Sequence, residues 1–189
     1  MTARLDPRSL RTRAAIRRAF EDLMVEKNAD RIKVKELTDR AGINRKTFYL
    51  HYETIESLFD EVVTELMDEF FEHYETTPDK PKDIDGHARR FFLFLVSQGD
   101  RAERLVCHAG SYDFGGRVYA EQMNRYRRLG KDPFDWLPEP EEELVLNFIR
   151  TTALDFYRQW VRGGRLVPQE RAAQLLAHLT CRGVDDLME

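Results

Sequence analysis

The chain holds two cysteines in 189 residues, Cys107 and Cys181. They form neither a CxxC pair nor a Cys/His ligand spacing, so a metal site is not expected. Two reduced thiols, or a redox-sensing pair, are the readings left. No apolar run approaches the roughly 18 residues that mark a bilayer-spanning helix. The N-terminal MTARLDPRSL lacks the apolar core of a signal peptide, so a cytoplasmic location with no membrane partner is expected. Nothing repeats, and no sustained alternation of apolar and polar residues marks a strand. No carboxylate pair, Ser/His/Asp set, metal-ligand spacing or phosphate-cradling glycine loop stands out. An enzyme is therefore not expected, nor a cofactor. Asp113-Phe114-Gly115 is a lone tripeptide without the other kinase elements.

What is present is 42% hydrophobic and 34% charged residues, the balance of a soluble globular chain long enough for one or two cored domains. The net charge of −4 is unevenly spread. Residues 1–52 hold 13 Lys+Arg against 7 Asp+Glu, a balance of +6, and residues 53–189 carry −10. A basic N-terminal quarter on an acidic remainder fits a nucleic-acid module on a carrier domain. Clustering of solvated charge is the bland alternative.

The stretch Val34–Tyr52, VKELTDRAGINRKTFYLHY, is the most informative. Val34, Leu37 and Ala41 share one helical face, and Gly42 suits a left-handed helix end. Ile43 can plug the turn, and Asn44 is a good N-cap for a second helix starting at Arg45. That helix carries the donors Arg45, Lys46, Thr47, Tyr49 and His51, while Phe48 and Tyr52, four apart, can anchor it. A short helix held by two aromatics and presenting donors outward suits the DNA major groove. Lys33 and Lys35 flank the start of the preceding helix, where a free backbone N–H and a lysine can grip a phosphate together.

Around this unit the chain reads as helices. The first starts near Asp6-Pro7 and runs to about Glu26, with Ile16, Ala19, Phe20 and Leu23 as its core stripe. Arg8, Arg11, Arg13, Arg17 and Arg18 crowd its first half, against the macrodipole, and phosphate neutralisation would give them a purpose. A solvated basic face is the other reading. Thr54 caps a long helix with an apolar stripe from Ile55 to Phe71, the natural mechanical link to the C-terminal half. A polar linker is expected over Thr76–Asp85. Helices are then expected over His87–Val96, Ala102–Ala109, Arg117–Leu129, Glu141–Arg162 and from Pro168 onward. The glycine-rich Ser111–Gly116 and the proline-rich Lys131–Pro140 read as loops.

Residues 11–59 resemble the N-terminal domain of the TetR family of bacterial transcription regulators. The resemblance rests on Ile16, Ala19 and Phe20, then Val34, Leu37, Ala41 and Gly42, then Thr47, Phe48, Tyr49, His51 and Tyr52, and finally Leu58 and Phe59. It implies an all-α protein. A helix-turn-helix DNA-binding domain would span 8–68, with the motif at about 32–52, and a helical regulatory and dimerisation domain would span 69–189. It further implies a homodimer on a palindromic DNA operator, most often a repressor released by a small-molecule effector. An activator, or a relative that binds a protein partner instead, are the alternatives. By the same analogy Lys35, Arg45, Lys46, Thr47, Tyr49 and His51 match positions that contact DNA. Ile55 departs from the family, since a phosphate-binding lysine often stands there. Thr54, Lys33 or the upstream arginines are the candidate replacements.

Chemistry divides the roles. Arg45 and Lys46 suit guanine O6 and N7. Thr47 suits a phosphate or a thymine methyl, and Tyr49 and His51 suit phosphate oxygens. Tyr49 also reads as a packed aromatic, and His51 as a core-edge histidine. Phe91, Phe94, His108, Tyr112, Tyr119, Trp136, Phe148 and Phe156 have the composition of an effector pocket, or equally of plain core. Leu144, Phe148, Tyr157 and Trp160, with Leu175, Leu176 and Leu179, form apolar stripes suited to a dimer interface.

Overall fold

The computed structural model describes residues 6–73, 84–128, 130 and 137–182. Among them the fold is all-α. Helix α1 (Pro7–Glu26) starts where the Asp6 carboxylate accepts the Arg8 N–H at 3.1 Å, with Pro7 at the position whose N–H has no helical partner anyway. A 3₁₀ turn (Ala29–Arg31) leads to α2 (Val34–Ala41), which Gly42 ends at φ +68°. Then come α3 (Arg45–Tyr49) and α4 (Ile55–His73). Thr54 and Ser57 cap α4 reciprocally, each side-chain oxygen accepting the other's backbone N–H at 3.0 and 3.2 Å.

The second half comprises α5 (Ile84–Ser97), α6 (Asp100–Cys107), a 3₁₀ turn (Gly110–Tyr112), α7 (Phe114–Arg128), α8 (Glu139–Arg162) and α9 (Gln169–Cys181). Ile84 and Asp85, expected in the linker, belong to α5. Residues 76–83 of that linker lie outside the described residues, as does Trp136.

The expected glycine-rich loop is corrected. Gly115 and Gly116 lie in the first turn of α7, and Asp113 caps it by accepting the Gly116 N–H at 3.0 Å. Their smallness serves close approach. A Cβ on Gly115 would stand 2.8 Å from Leu154 Cδ1 of α8, and one on Gly116 would collide with the Asp113 carboxylate.

One apolar core runs from Ile16 to Leu176, and α4 belongs to both halves of it. Phe59 meets Phe20 of α1 edge-on at 6.5 Å, whereas Phe70 meets Phe91 and Phe94 of α5 at 5.3 Å each. The boundary expected at residues 68/69 thus falls inside a continuous helix. Carboxylates on α4 hold three neighbours by ion pairs. Glu61 and Glu65 take Arg13 and Arg17 of α1, Glu69 takes Arg101 of α6 at 2.7 Å, and Glu56, Asp60 and Asp68 take Arg117 and Arg125 of α7. Arg117 and Arg125 also stand over the rings of Phe59 and Phe71, at 5.6 and 4.7 Å.

Several residues expected in a pocket or at a dimer face sit elsewhere. Phe148 is 56% exposed on the outer side of α8, so it lines no interior pocket. Tyr157 and Leu176 are packed inside the protomer. Tyr157 packs with Trp160 on Phe92, and burial pushes its hydroxyl up to about 12. Neither residue can reach a partner subunit. Leu144 is exposed, whereas Leu175 and Leu179 are half-buried. Phe91 and Phe94 are core, Phe156 packs edge-on to Phe92, and Tyr119 lies under the Arg150 guanidinium. Burial also pushes the half-buried Cys107 thiol up, away from the thiolate that redox sensing needs, while Cys181 is exposed.

Candidate nucleic-acid interface

Helix α3 has five residues, too few to be stable alone, so its neighbours must fix it. Three devices do this. Asn44 caps it, its Oδ1 accepting the Thr47 N–H at 2.8 Å and the Thr47 hydroxyl at 3.0 Å. Phe48 is wholly buried and stacks obliquely on Tyr52, also buried, at 5.8 Å. The Tyr52 hydroxyl then donates to Glu61 of α4 at 2.8 Å. Burial first, and then that bond to an anion, raise the Tyr52 pKa, so the hydroxyl stays protonated and remains a donor.

With Phe48 turned inward, α3 presents Arg45, Lys46, Tyr49 and Leu50 to solvent. Tyr49 is 57% exposed and touches Phe48 only edge-on, which leaves its hydroxyl outside. His51 is half-buried beside the Tyr52 ring. Thr47 donates its hydroxyl to Asn44 Oδ1, which leaves its methyl and the lone pairs of its oxygen to offer a base. Leu50, 81% exposed, is the residue that motif reasoning passes over. An apolar residue between two polar neighbours at the end of a short helix reads as core unless the helix is known to end there.

The cations sort by whether they have a partner. Lys33, Lys35, Arg45 and Lys46 are exposed and have no ion-pair partner among the described residues. Two nearby carboxylates are engaged. Glu36 takes the Lys27 ammonium at 2.9 Å and the Lys33 N–H at 3.1 Å, contacts that hold its pKa below the usual carboxylate value. Glu26 pairs with Arg40 at 2.7 Å. Arg11 is exposed and donates only to Pro7 O of its own helix. Arg13 differs from these four. Its guanidinium is held by Glu61 and lies over the Tyr52 ring at 5.3 Å, with its side chain 27% exposed, so unlike the four it has a partner within the fold. Ile55 is buried, which makes the missing lysine a core plug rather than a gap.

The corner between α6 and α7 docks on the turn that precedes α2. His108 O accepts the Ala29 N–H at 2.8 Å, and Asp30 Oδ2 accepts the Ser111 N–H at 2.9 Å. Gly110 at φ +66° has the Asp30 carboxylate where a Cβ would stand. The Ser111 N–H holds the Asp30 carboxyl below its usual pKa. Tyr112 packs on Phe59 at 5.4 Å and its carbonyl accepts from Arg117, which pairs in turn with Glu56 and Asp60 at the start of α4. His108 and Tyr112, expected in a pocket, therefore sit at the joint between the carrier and the reading unit.

A buried-aromatic-anchored short helix with unpaired cations, seated on an all-helical carrier, is the arrangement of a helix-turn-helix unit. Residues 16–62 match the model of the bacterial regulatory proteins of the tetR family. A stretch of 70 residues, 36% of this chain, is 34% identical to YxbF of Bacillus subtilis strain 168, an uncharacterized HTH-type transcriptional regulator. That match spans 18% of the relative's own length. Two solved structures share the fold along most of the chain. NalD, the secondary repressor of the MexAB-OprM multidrug efflux pump in Pseudomonas aeruginosa, is 18% identical with a TM-score of 0.63, over 94% of this chain and 98% of that one. FadR of Bacillus subtilis, solved with stearoyl-CoA, is 14% identical with a TM-score of 0.61, over 90% and 98%. Residues 16–62 are thus a TetR-type helix-turn-helix unit within an all-α chain. No helix among the described residues is long and apolar enough to cross a membrane.

Proposed function

We propose that the protein is a cytoplasmic repressor that binds a palindromic operator as a homodimer and leaves it when a small molecule occupies the second half. The observation that carries the reading is the outward face of α3, where Arg45, Lys46, Tyr49 and Leu50 stand exposed on a helix that two buried aromatics lock. Arg45 and Lys46 read guanine O6 and N7. The Thr47 methyl and Leu50 meet thymine methyls. Tyr49, His51, Lys33 and Lys35 hold phosphates, and Thr54, whose hydroxyl proton is unused at the exposed start of α4, takes the place of the missing lysine. Arg11 is an outlying phosphate contact.

Two subunits join through the outer side of α8 and α9. Leu144 and Phe148, 72% and 56% exposed, are large apolar side chains with nothing over them in the single chain, and the half-buried Leu175, Leu179 and Trp160 extend the patch. The ends of α8 support a twofold arrangement, since Glu139 and Glu141 lie in its first turn and Arg162 in its last, so antiparallel copies bring opposite charges together. An effector held in the second half acts through α4 and the docked α6–α7 corner, the parts that touch both halves.

Selection of bound duplexes from random DNA tests this directly. Recovered sites are expected to be inverted repeats with half-sites about 34–36 Å apart, or a multiple of that. A recovered single half-site, or a monomer by sedimentation at micromolar concentration, contradicts it. A thermal-shift screen followed by operator release identifies the effector. A compound that stabilises the protein and leaves DNA affinity unchanged does not discriminate between the two states and is not the effector.

A further inference from the structure

Two helices of the DNA-binding half and the loop that closes its helix-turn-helix meet at one carboxylate. Glu61 of α4 accepts the hydroxyl of Tyr52, the residue that closes the helix-turn-helix, at 2.8 Å. Its other oxygen holds the Arg13 guanidinium of α1, which also covers the Tyr52 ring at 5.3 Å from the centroid. Arg17, one turn further along α1, pairs with Glu65 and lies 3.9 Å from Glu61. The side chains of Arg13 and Glu61 are 27% and 22% exposed, so the cluster is largely shielded from solvent.

We propose that Glu61 is a positioning residue for base reading, and that Arg13–Glu61–Tyr52 sets the angle at which α3 meets the groove. The proposal rests on α3 being the reading helix. Phe48, the other anchor of α3, is held by apolar contact, which fixes depth and leaves rotation loose because it has no direction. A hydrogen bond to an ionised oxygen is directional, and an Arg on the same carboxylate stops that oxygen from swinging away. The bond is made at the last residue of the motif, where a small rotation moves Arg45 and Lys46 by the largest amount. Base-edge hydrogen bonds tolerate little displacement, whereas phosphate attraction tolerates more.

Charge makes the proposal sharply testable. Glu61 is an anion in a domain that faces a polyanion, so on electrostatic grounds alone its neutralisation strengthens binding to every duplex. Loss of positioning predicts the opposite for the operator. The full-length chain and its Glu61→Gln and Tyr52→Phe variants are compared on the duplex recovered by selection and on a scrambled duplex of the same composition, across a salt series. Glu61→Gln is expected to weaken the operator complex about tenfold, the scale of one lost base-reading pair, with scrambled binding unchanged or tighter and the salt slope unaltered. Tyr52→Phe, which removes one oxygen and keeps the ring, is expected to lower the operator-to-scrambled ratio in the same direction by several-fold. Circular dichroism with a melt shows that each variant is folded at the assay temperature. Both variants keeping the wild-type ratio, or Glu61→Gln tightening both duplexes equally, overturns the proposal. A wild-type chain that shows no salt-dependent DNA binding overturns the DNA reading itself, and this inference with it.

Discussion

Two sets of cations on one domain have opposite fates. Arg13 and Arg17 of α1 face α4 and are consumed by Glu61 and Glu65, just as Arg117 and Arg125 of α7 are consumed by Glu56, Asp60 and Asp68. Lys33, Lys35, Arg45 and Lys46 face outward without an ion-pair partner among the described residues, and two of the acids near them, Glu36 and Glu26, are taken by Lys27 and Arg40. In sequence the two sets look alike, because both are basic residues in a basic quarter. The difference teaches that cation function here is decided by carboxylates about fifty residues away. One set holds the scaffold, and the other is left for a partner that brings its own negative charge.

The largest effects should fall on the unpaired set. Arg45→Ala or Lys46→Ala should weaken operator binding about ten- to a hundredfold and relax base preference at one position of each half-site, with an unchanged melting temperature. Equal losses on operator and scrambled DNA would show that they hold phosphate instead. On the paired side, Arg117→Met should destabilise the fold by about 1.5–3 kcal/mol, read by chemical denaturation, because Glu56, Asp60 and the Tyr112 carbonyl lose a shared donor. A variant as stable as the wild type would mean that the pairs around α4 contribute little.

Smaller effects sharpen the contrast. Asn44→Ala should cost about 1 kcal/mol through the lost cap and should free the Thr47 hydroxyl. Leu50→Ala should weaken binding by a few-fold, and replacing operator thymines by deoxyuridine should reproduce that loss in the wild type but add nothing in the variant. Additive losses would separate Leu50 from the thymine methyls. The smallest effect is with pH. The Asp30 carboxyl has a lowered pKa in the fold, so its contribution is complete above its unfolded value of about 4 and fades as pH falls through the folded value. Asp30→Asn should therefore blunt acid unfolding below about pH 4, and an identical acid profile would show that the corner does not depend on that charge.

Local chemistry is the legible part. Gly42, Asn44, Thr54 and the unbroken stripe from Ile55 to Phe71 announce α2, α3 and α4 because caps and periodicity act over a few residues. Gly115 and Gly116 mislead because their reason is the approach of Leu154 from α8 and of the Asp113 carboxylate. Tyr157 and Leu176 read as a dimer face because α8 and α9 carry apolar residues on more than one side, and periodicity does not say which side meets the core. His108 and Tyr112 look like pocket residues because their contacts to Ala29 and Phe59 span the whole fold. Arg13 looks like a phosphate ligand for the same reason, its partner lying on another helix.

The split between paired and unpaired cations is tested most directly by the salt dependence of operator binding in single variants. Lys35→Ala should lower the slope of log affinity against log salt by about 0.9, the signature of one phosphate fewer neutralised, whereas Arg13→Gln should leave the slope unchanged. A slope that falls by the same amount for Arg13→Gln, or stays constant for Lys35→Ala, would contradict the account.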